Sequence, residues 1–395
     1  MNARLLDLAR QVRGGFARVV GIFPGSSARF GPPRQAATTL SITDPTVLVR
    51  HSLIAARTEE RPAVLLADPP LDTLMNAPRR TDIKEIVVSE IPRGRYWGQY
   101  HGYVIDRCDT LLTDLSLTYT PPGARHEGLG HVVLPRLREL GGTAAVINTL
   151  YGTNFHHWLL DLVPRFEWIR RAGFPLGEID HFIFPKKMKP FHLETMERLG
   201  LDPAKAICSS PQLHVRADRL LVPAHSEAGD EPGEYSYTPD GIAFTRHLFL
   251  DHSPFLGRET PRRIVVSRER TQARRLVQGE RTHAMLAGLG FTKIFLEDYS
   301  VREQAALFHQ AECIVMPTGG GLANTAFCQP GTAVIELFSP SYYPPFTYAL
   351  AGPLGLRYYA LVADKISRPF PEARQGNEDI DFDPGRLEEI VRRAL

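Results

Sequence analysis

Hydrophobic and polar positions along this chain follow two alternating periods, most clearly in its second half. Arg262-Arg263-Ile264-Val265-Val266-Ser267-Arg268 is a β-branched apolar run between basic residues and predicts a buried strand. Thr282 to Leu289 has helical spacing, and Lys293-Ile294-Phe295-Leu296 predicts a second strand. Ser300 then caps a helix whose apolar face is Ala305, Ala306, Leu307 and Phe308. Ala311-Glu312-Cys313-Ile314-Val315-Met316 and Ala333-Val334-Ile335-Glu336-Leu337-Phe338 are two further buried runs. Between them Pro317-Thr318-Gly319-Gly320-Gly321-Leu322-Ala323-Asn324 opens a short helix that Gln329-Pro330-Gly331-Thr332 breaks. The order is β-α-β-α-β-α-β, half of a doubly wound α/β protein.

The first half is less regular. Short strands alternate with turns at Ala63-Val64-Leu65-Leu66, Glu85-Ile86-Val87-Val88, Tyr103-Val104-Ile105 and Leu111-Leu112, a β-rich meander. Ala144-Ala145-Val146-Ile147, a strand at Ile179 to Phe184, a helix from Phe191 to Leu199 and a strand at Arg219-Leu220-Leu221-Val222-Pro223 return the pattern to α/β. Ser226 to Gly241 reads as an acidic loop and Asp251 to Pro261 as a linker, so the chain divides into residues 1–250, a linker 251–261 and residues 262–395. Pro384 to Leu395 is an amphipathic helix.

Composition changes this picture little. A length of 395 residues fits two domains, and 43% hydrophobic with 23% charged residues is ordinary for a globular chain. The net charge of +2 and the absence of a basic run with interleaved aromatics give no reason to expect a nucleic-acid partner. Cys108, Cys208, Cys313 and Cys328 lack any paired spacing, so neither a zinc site nor a disulfide framework is expected, and a reducing cytoplasm is the default. No stretch of eighteen apolar residues occurs, and Arg4, Arg10, Arg13 and Arg18 interrupt the N-terminal apolar pattern against a signal peptide. Leu5, Leu8, Val12, Phe16 and Val19 keep helical spacing among those arginines, so residues 1–20 suit either peripheral attachment to an anionic inner-membrane surface or packing on their own domain.

Candidate chemistry concentrates at two places. Glycines at the mouth of a helix let backbone N–H groups approach an anion, which the helix N-terminus also attracts. Gly319, Gly320 and Gly321 therefore form a candidate phosphate turn, with a ligand-free tight turn as the plain alternative. No Gly-Lys-Ser/Thr follows for an NTPase loop, and the third glycine of a dinucleotide fingerprint would fall at Asn324, which argues against a nucleotide-dependent oxidoreductase. Arg268 and Arg275 are placed to reach the same edge, because guanidinium suits bidentate phosphate contacts, while Arg270 and Arg274 fit a solvated face. The second place is Asn154 to Arg165: on a helix beginning near Asn154, residues 154, 157, 158 and 161 share a face. His157 with Asp161 one turn away is a candidate acid/base pair, His156 points elsewhere, and a satisfied core histidine is the alternative.

At these residues the chain resembles glycosyltransferase family 61. The resemblance rests on Asn154-Phe155-His156-His157-Trp158-Leu159-Leu160-Asp161-Leu162-Val163-Pro164-Arg165, on Ser267-Arg268 with Arg274-Arg275, on Glu303 to Phe308, on Gly319 to Asn324 and on Val334-Ile335-Glu336-Leu337. It implies a GT-B-like α/β fold, two Rossmann-like domains facing across a cleft, with the C-terminal helix returning to the first domain. It implies inverting, metal-independent transfer of a sugar from a nucleotide-sugar donor, UDP-linked in the first instance, to a glycan, lipid-linked saccharide or other hydroxyl acceptor. No cofactor or metal is expected, since no Asp-x-Asp sits in the core of the C-terminal unit and Asp381-Phe382-Asp383 lies in a polar tail. The resemblance puts His157 and Asp161 in catalysis, and Asn154, His156, Ser267, Arg268, Arg275, Thr318, Gly319, Gly320, Gly321, Asn324 and Glu336 at the substrates. Two positions depart from the family pattern: Thr318 stands where a histidine is usual, and Gln278 where an asparagine is usual. The first makes a catalytically inactive GT-B-shaped nucleotide-sugar or glycan-binding protein the alternative.

Overall fold

The computed structural model describes residues 31–60, 66–67, 80–99, 102–116, 125–131, 133–149, 151–224, 237–366 and 376–395. The amphipathic stretch 1–20, the run 63–65 and most of the acidic loop lie outside the described residues. Described residues within 1–55, 85–158 and 162–225 form one unit, and those within 56–84, 159–161 and 226–395 form a second.

In the first unit Gln35–Ala37 and Val49–Ile54 are strands at the sheet's margins, and the others are β1 (Ile86–Pro92), β2 (Arg95–Trp97), β3 (Tyr103–Ile105), β4 (Thr110–Leu112), β5 (Arg138–Val146), β6 (His181–Phe184), β7 (Ala206–Cys208) and β8 (His214–Pro223). β5 pairs in parallel with β6 and β8, and β6 with β7. On its other edge β8 runs antiparallel to β1 and β2, from which β3 and β4 continue as a meander. The division into a β-rich front and an α/β back follows the sequence pattern. Leu140, Ala144, Val146, Ile183, Val215, Leu220 and Val222 bring one face of these strands into a shared core, as strand alternation requires. The helices are α1, the helical stretch over residues 155–171 of which 159–161 group with the second unit, and α2 (Pro190–Arg198).

The second unit begins its α/β order with α3 (Pro239–Leu250), then β9 (Arg263–Val266), α4 (Gly279–Gly288), β10 (Thr292–Ile294), α5 (Val301–Gln310), β11 (Cys313–Pro317), β12 (Ala333–Phe338), α6 (Phe346–Ala351), β13 (Arg357–Val362) and α7 (Pro384–Ala394). The sheet order is β10-β9-β11-β12-β13, every pairing parallel, with Leu66–Ala67 added at the β13 edge. β11 and β12 are buried along their whole length, the condition of a parallel sheet covered on both faces. From β9 the chain moves outward to β10 and then back across to β11. That reversal opens a crevice beyond the carboxyl ends of β9 and β11, the place where open α/β sheets bind ligands.

Two expectations change here. α3, which the sequence groups with the first domain, packs with the second unit: Arg246 donates to the carbonyls of Ala326 (2.6 Å) and Cys328 (2.9 Å). The last helix, expected at the first domain, packs within the second unit. Leu387, Ile390, Val391 and Ala394 of α7 join Val265, Leu286, Ile335 and Leu361 in the second unit's own core. Its apolar stripe finds an uncovered sheet face beside it, and burying that stripe locally removes the reason to travel further. Asp383 caps α7 by accepting from Gly385 N and Arg386 N, and Phe382 is buried in the same core, so the tail segment belongs to the fold.

Candidate functional site

The crevice between β9 and β11 is built from backbone outward. Ser267 follows the last residue of β9; its N–H donates to Ile294 O (2.9 Å) and its Oγ accepts from Glu269 N (3.3 Å). The next side chain, Arg268, is held by its Nε at the Ala273 carbonyl (3.2 Å) and reaches across to the end of β11. A β-carbon on Gly319 would clash with Arg268 Nη1. Gly319 is extended, with φ 161°, so the glycine supplies room for the guanidinium and not an unusual backbone angle. Gly321 makes room elsewhere, since a β-carbon there would meet Leu296 Cδ1 at 2.5 Å and Met316 Cε at 3.0 Å. The helix after the turn is a 3-10 helix over Gly320–Phe327. Gly319, Gly320 and Gly321 are half-buried, while the residues from Leu322 to Phe327 are buried.

The arginines after β9 are distributed differently from the sequence expectation. Arg270 is solvated, paired with Asp298. Arg274 is not on a solvated face: its Nε donates to Gly376 O (2.6 Å), its Nη1 to Thr318 O (3.4 Å), and its guanidinium lies 4.8 Å from the Tyr342 ring centroid. Arg275 instead makes an ion pair with Asp379 at 2.8 Å, with 40% of its side chain exposed. It lines a cavity of about 740 Å³ with Glu269, Gln278 and Arg281. Two features of the backbone separate these neighbours. Val277 N donates to Ile380 O and Ile380 N to Arg275 O. Arg274 itself adopts a left-handed φ of 58°, uncommon for a residue of its size. No local sequence signal distinguishes it from Arg275.

Electrostatics single out Arg268 and Arg274 together. Burial pushes the Arg268 guanidinium down to about 10, and the neighbouring positive charge of Arg274 adds to the shift. Arg274 is likewise lowered by burial, against the opposing pull of Tyr342, Glu336 and Glu378. Two partly desolvated cations facing one another form a place where an anion is favoured.

Three sequence candidates lie beneath this surface. Asn324 is 0% exposed, and its Nδ2 donates to Gln304 Oε1 (2.8 Å) and Gly321 O (3.0 Å), tying the turn to α5. Thr318 is 1% exposed, and its N–H donates to Leu337 O (2.8 Å). Glu336 is 1% exposed, accepts from Tyr358 Oη at 2.8 Å, and burial pushes its carboxyl up to about 7.

The second place is the start of α1. Asn154 is the N-cap, its Oδ1 accepting from His156 N at 2.9 Å. His156, His157 and Asp161 are buried, at 3%, 7% and 2% exposure. The exposed Tyr151 stacks on His157, with ring centroids 5.1 Å apart and 28° between planes, and His156 meets His157 edge-on at 5.3 Å. Trp158–Leu162 is a π-helical turn. Pro164 explains it, since proline has no N–H for the carbonyl four residues back and its ring crowds that carbonyl. Thr245 Oγ1 donates to the Leu159 carbonyl at 3.3 Å. A wide turn of this kind breaks the α-helical register on which a common face for residues 154, 157, 158 and 161 depended, and such turns recur at functional sites. Trp158 leaves that face altogether: its Nε1 donates to Thr195 Oγ1 (2.9 Å) and its ring packs on His192 at 4.2 Å and Phe184 at 5.5 Å.

The family model described as Glycosyltransferase 61 matches residues 155–335, from the first turn of α1 to the middle of β12. This segment is a glycosyltransferase 61 domain. The protein is a glycosyltransferase, with a sugar donor and an acceptor as its substrates. No curated protein matches the chain as a relative. Within the glycosyltransferase 61 domain, the crevice residues Arg268 and Gly319 and the α1 residues His157 and Asp161 all fall inside the matched span. Among the described residues no helix is long and apolar enough to cross a membrane.

Proposed function

We propose that this glycosyltransferase takes a nucleotide-sugar donor, UDP-linked, and transfers its sugar to a hydroxyl of a glycan or lipid-linked saccharide, with inversion and without a metal. The observation that carries the reading is the Arg268 guanidinium seated over Gly319 at the point where the strand order reverses. As the glycosidic bond breaks, negative charge grows on the leaving diphosphate. Arg268, Arg274 and the N–H groups of the glycine turn are preorganised donors for that charge. Arg274 takes the place that the sequence pattern assigns to Arg275, whose charge is engaged by Asp379.

On the acceptor side, direct displacement needs a base for the hydroxyl proton as the sugar arrives. His157 fills that role in this reading, with Asp161 orienting the imidazole and raising its basicity; Asp161 acting as the base is the second assignment. Asn154 and His156 organise the turn from which His157 projects. The setting proposed is the cytoplasm, at the inner membrane where lipid-linked saccharides are found.

A thermal-shift screen over UDP-, GDP-, CMP- and dTDP-sugars tests the reading, because a ligand bound only by the folded protein raises the melting temperature. A UDP-sugar is expected to raise it, and Arg268→Ala to abolish the rise. A shift without hydrolysis or transfer of the donor would instead mark an inactive binding protein.

A further inference from the structure

The donor reading leaves one buried carboxyl group unused. Glu336 sits in the middle of β12, and four elements present groups to its carboxyl. Tyr358 of β13 donates its hydroxyl at 2.8 Å, Thr347 of α6 and Thr318 after β11 present hydroxyls, and Arg274 of the loop after β9 faces it with positive charge. Arg274 in turn faces Tyr342 and Glu378 as well as Glu336. Its Nη1 donates to the carbonyl of Thr318 at 3.4 Å, the residue whose hydroxyl faces Glu336. A threonine hydroxyl stands at position 318, and Arg274 is a cation facing Glu336.

We propose that Glu336 is a positioning residue of the donor site. A diphosphate that engages Arg268 and Arg274 draws the charge of Arg274 away from Glu336, whose carboxylate takes a proton from solvent and remains as a neutral support under Thr318. The inference rests on the donor reading and adds to it that donor binding takes up a proton.

The physical reason is the cost of two anions around one guanidinium. Ionised Glu336 competes with the phosphate for Arg274, whereas protonated Glu336 leaves Arg274 free and still accepts from the Tyr358 hydroxyl. Burial already pushes this carboxyl up to about 7, so the exchange falls in the physiological range. For an acid raised in the folded state, the linked stability is present below the ordinary carboxyl range and is lost as pH rises through neutrality. Diphosphate affinity carries the same sign, highest where Glu336 is protonated.

Inorganic pyrophosphate is the probe, titrated by calorimetry into the full chain and into Glu336→Gln between about pH 6 and about pH 8.5. The ionisation of pyrophosphate itself affects both proteins equally, so the ratio of their affinities isolates Glu336. The wild-type affinity relative to Glu336→Gln is expected to fall on the order of tenfold across that range. A ratio that stays flat while both proteins bind overturns the role of Glu336 and leaves the donor reading standing. Wild-type protein that does not bind pyrophosphate, or Arg268→Ala that binds it as well as wild type, overturns the donor reading and this inference with it. Should Glu336→Gln fail to fold, Tyr358→Phe serves: losing one hydrogen bond to the ionised carboxyl moves the fall in affinity to higher pH, and an unmoved profile overturns the proposal.

Discussion

Arg268 and Gly319 share one volume: the guanidinium of the first fills the space a β-carbon of the second would occupy. One residue follows the end of β9 and the other the end of β11, so the pair ties the two sides of the crevice together. Substitution at either position therefore reads out the same site. Gly319→Ala displaces a flexible side-chain end and not backbone, so the fold is expected to survive with a melting temperature near wild type. Affinity for pyrophosphate and for the nucleotide-sugar should fall about tenfold or more, the scale of one charged hydrogen bond. Unchanged affinity in Gly319→Ala would show that Arg268 does not meet the phosphates from this position.

Removing the guanidinium itself should cost more than displacing it. Arg268→Ala is expected to weaken diphosphate binding by roughly 1.5–3 kcal/mol. Arg268→Lys should recover only part of this, since an ammonium cannot make a bidentate contact. Calorimetry with free nucleoside diphosphate checks both variants.

Adjacent arginines give a sharper contrast. Arg274→Ala is expected to weaken donor binding on the same scale as Arg268→Ala. Arg275→Ala should leave it within about a factor of two, because the Arg275 guanidinium is engaged by Asp379. Equal losses in the two variants would return Arg275 to the donor site.

For the α1 residues the separation is between chemistry and binding. His157→Ala and Asp161→Asn are expected to lower turnover by roughly two to four orders of magnitude while donor affinity barely moves. Survival of turnover per bound donor in His157→Ala, or loss of folding, would make His157 a core histidine packed under Tyr151.

Two other histidines should report on stability alone. His192 accepts from Lys189 N at 2.7 Å and bonds Gly152 O at 3.1 Å, and burial pushes both it and His214 down to about 4. The folded state therefore favours neutral imidazole, so the stability each contributes is present above the ordinary histidine range and is lost as pH falls through about 4. Denaturant unfolding at neutral pH and near pH 4 should show that loss, on the order of 3 kcal/mol for each histidine. His192→Gln should flatten the slope, even if it lowers stability at neutral pH.

The sequence by itself determined the α/β order of the second unit. Its apolar runs are buried on both faces, and a parallel strand announces itself as a continuous β-branched stretch wherever it lies. Ser300 and Glu303 form the capping box that their spacing predicts. The glycine turn and Arg268 were also legible, because a strand's end and the glycines after it can be located from local chemistry alone. What tertiary structure decided were the quantities that depend on partners distant in sequence. Arg274 and Arg275 are indistinguishable in sequence; the left-handed backbone of Arg274 and the pairing of Arg275 and Val277 with Ile380 separate them, and Arg275 meets Asp379. The apolar stripe of α7 fixes that the helix must be covered but not by what, and the nearest bare sheet face settled it. The helical face at Asn154 was drawn with α-helical spacing, and the π turn before Pro164 redistributed it, sending Trp158 into the core. By its local pattern Glu336 is an acidic residue within an apolar strand, which the resemblance alone puts at the substrates. Its place beneath Thr318, and the coupling to Arg274 that follows, comes from strands, a helix and a loop folding over one carboxyl group.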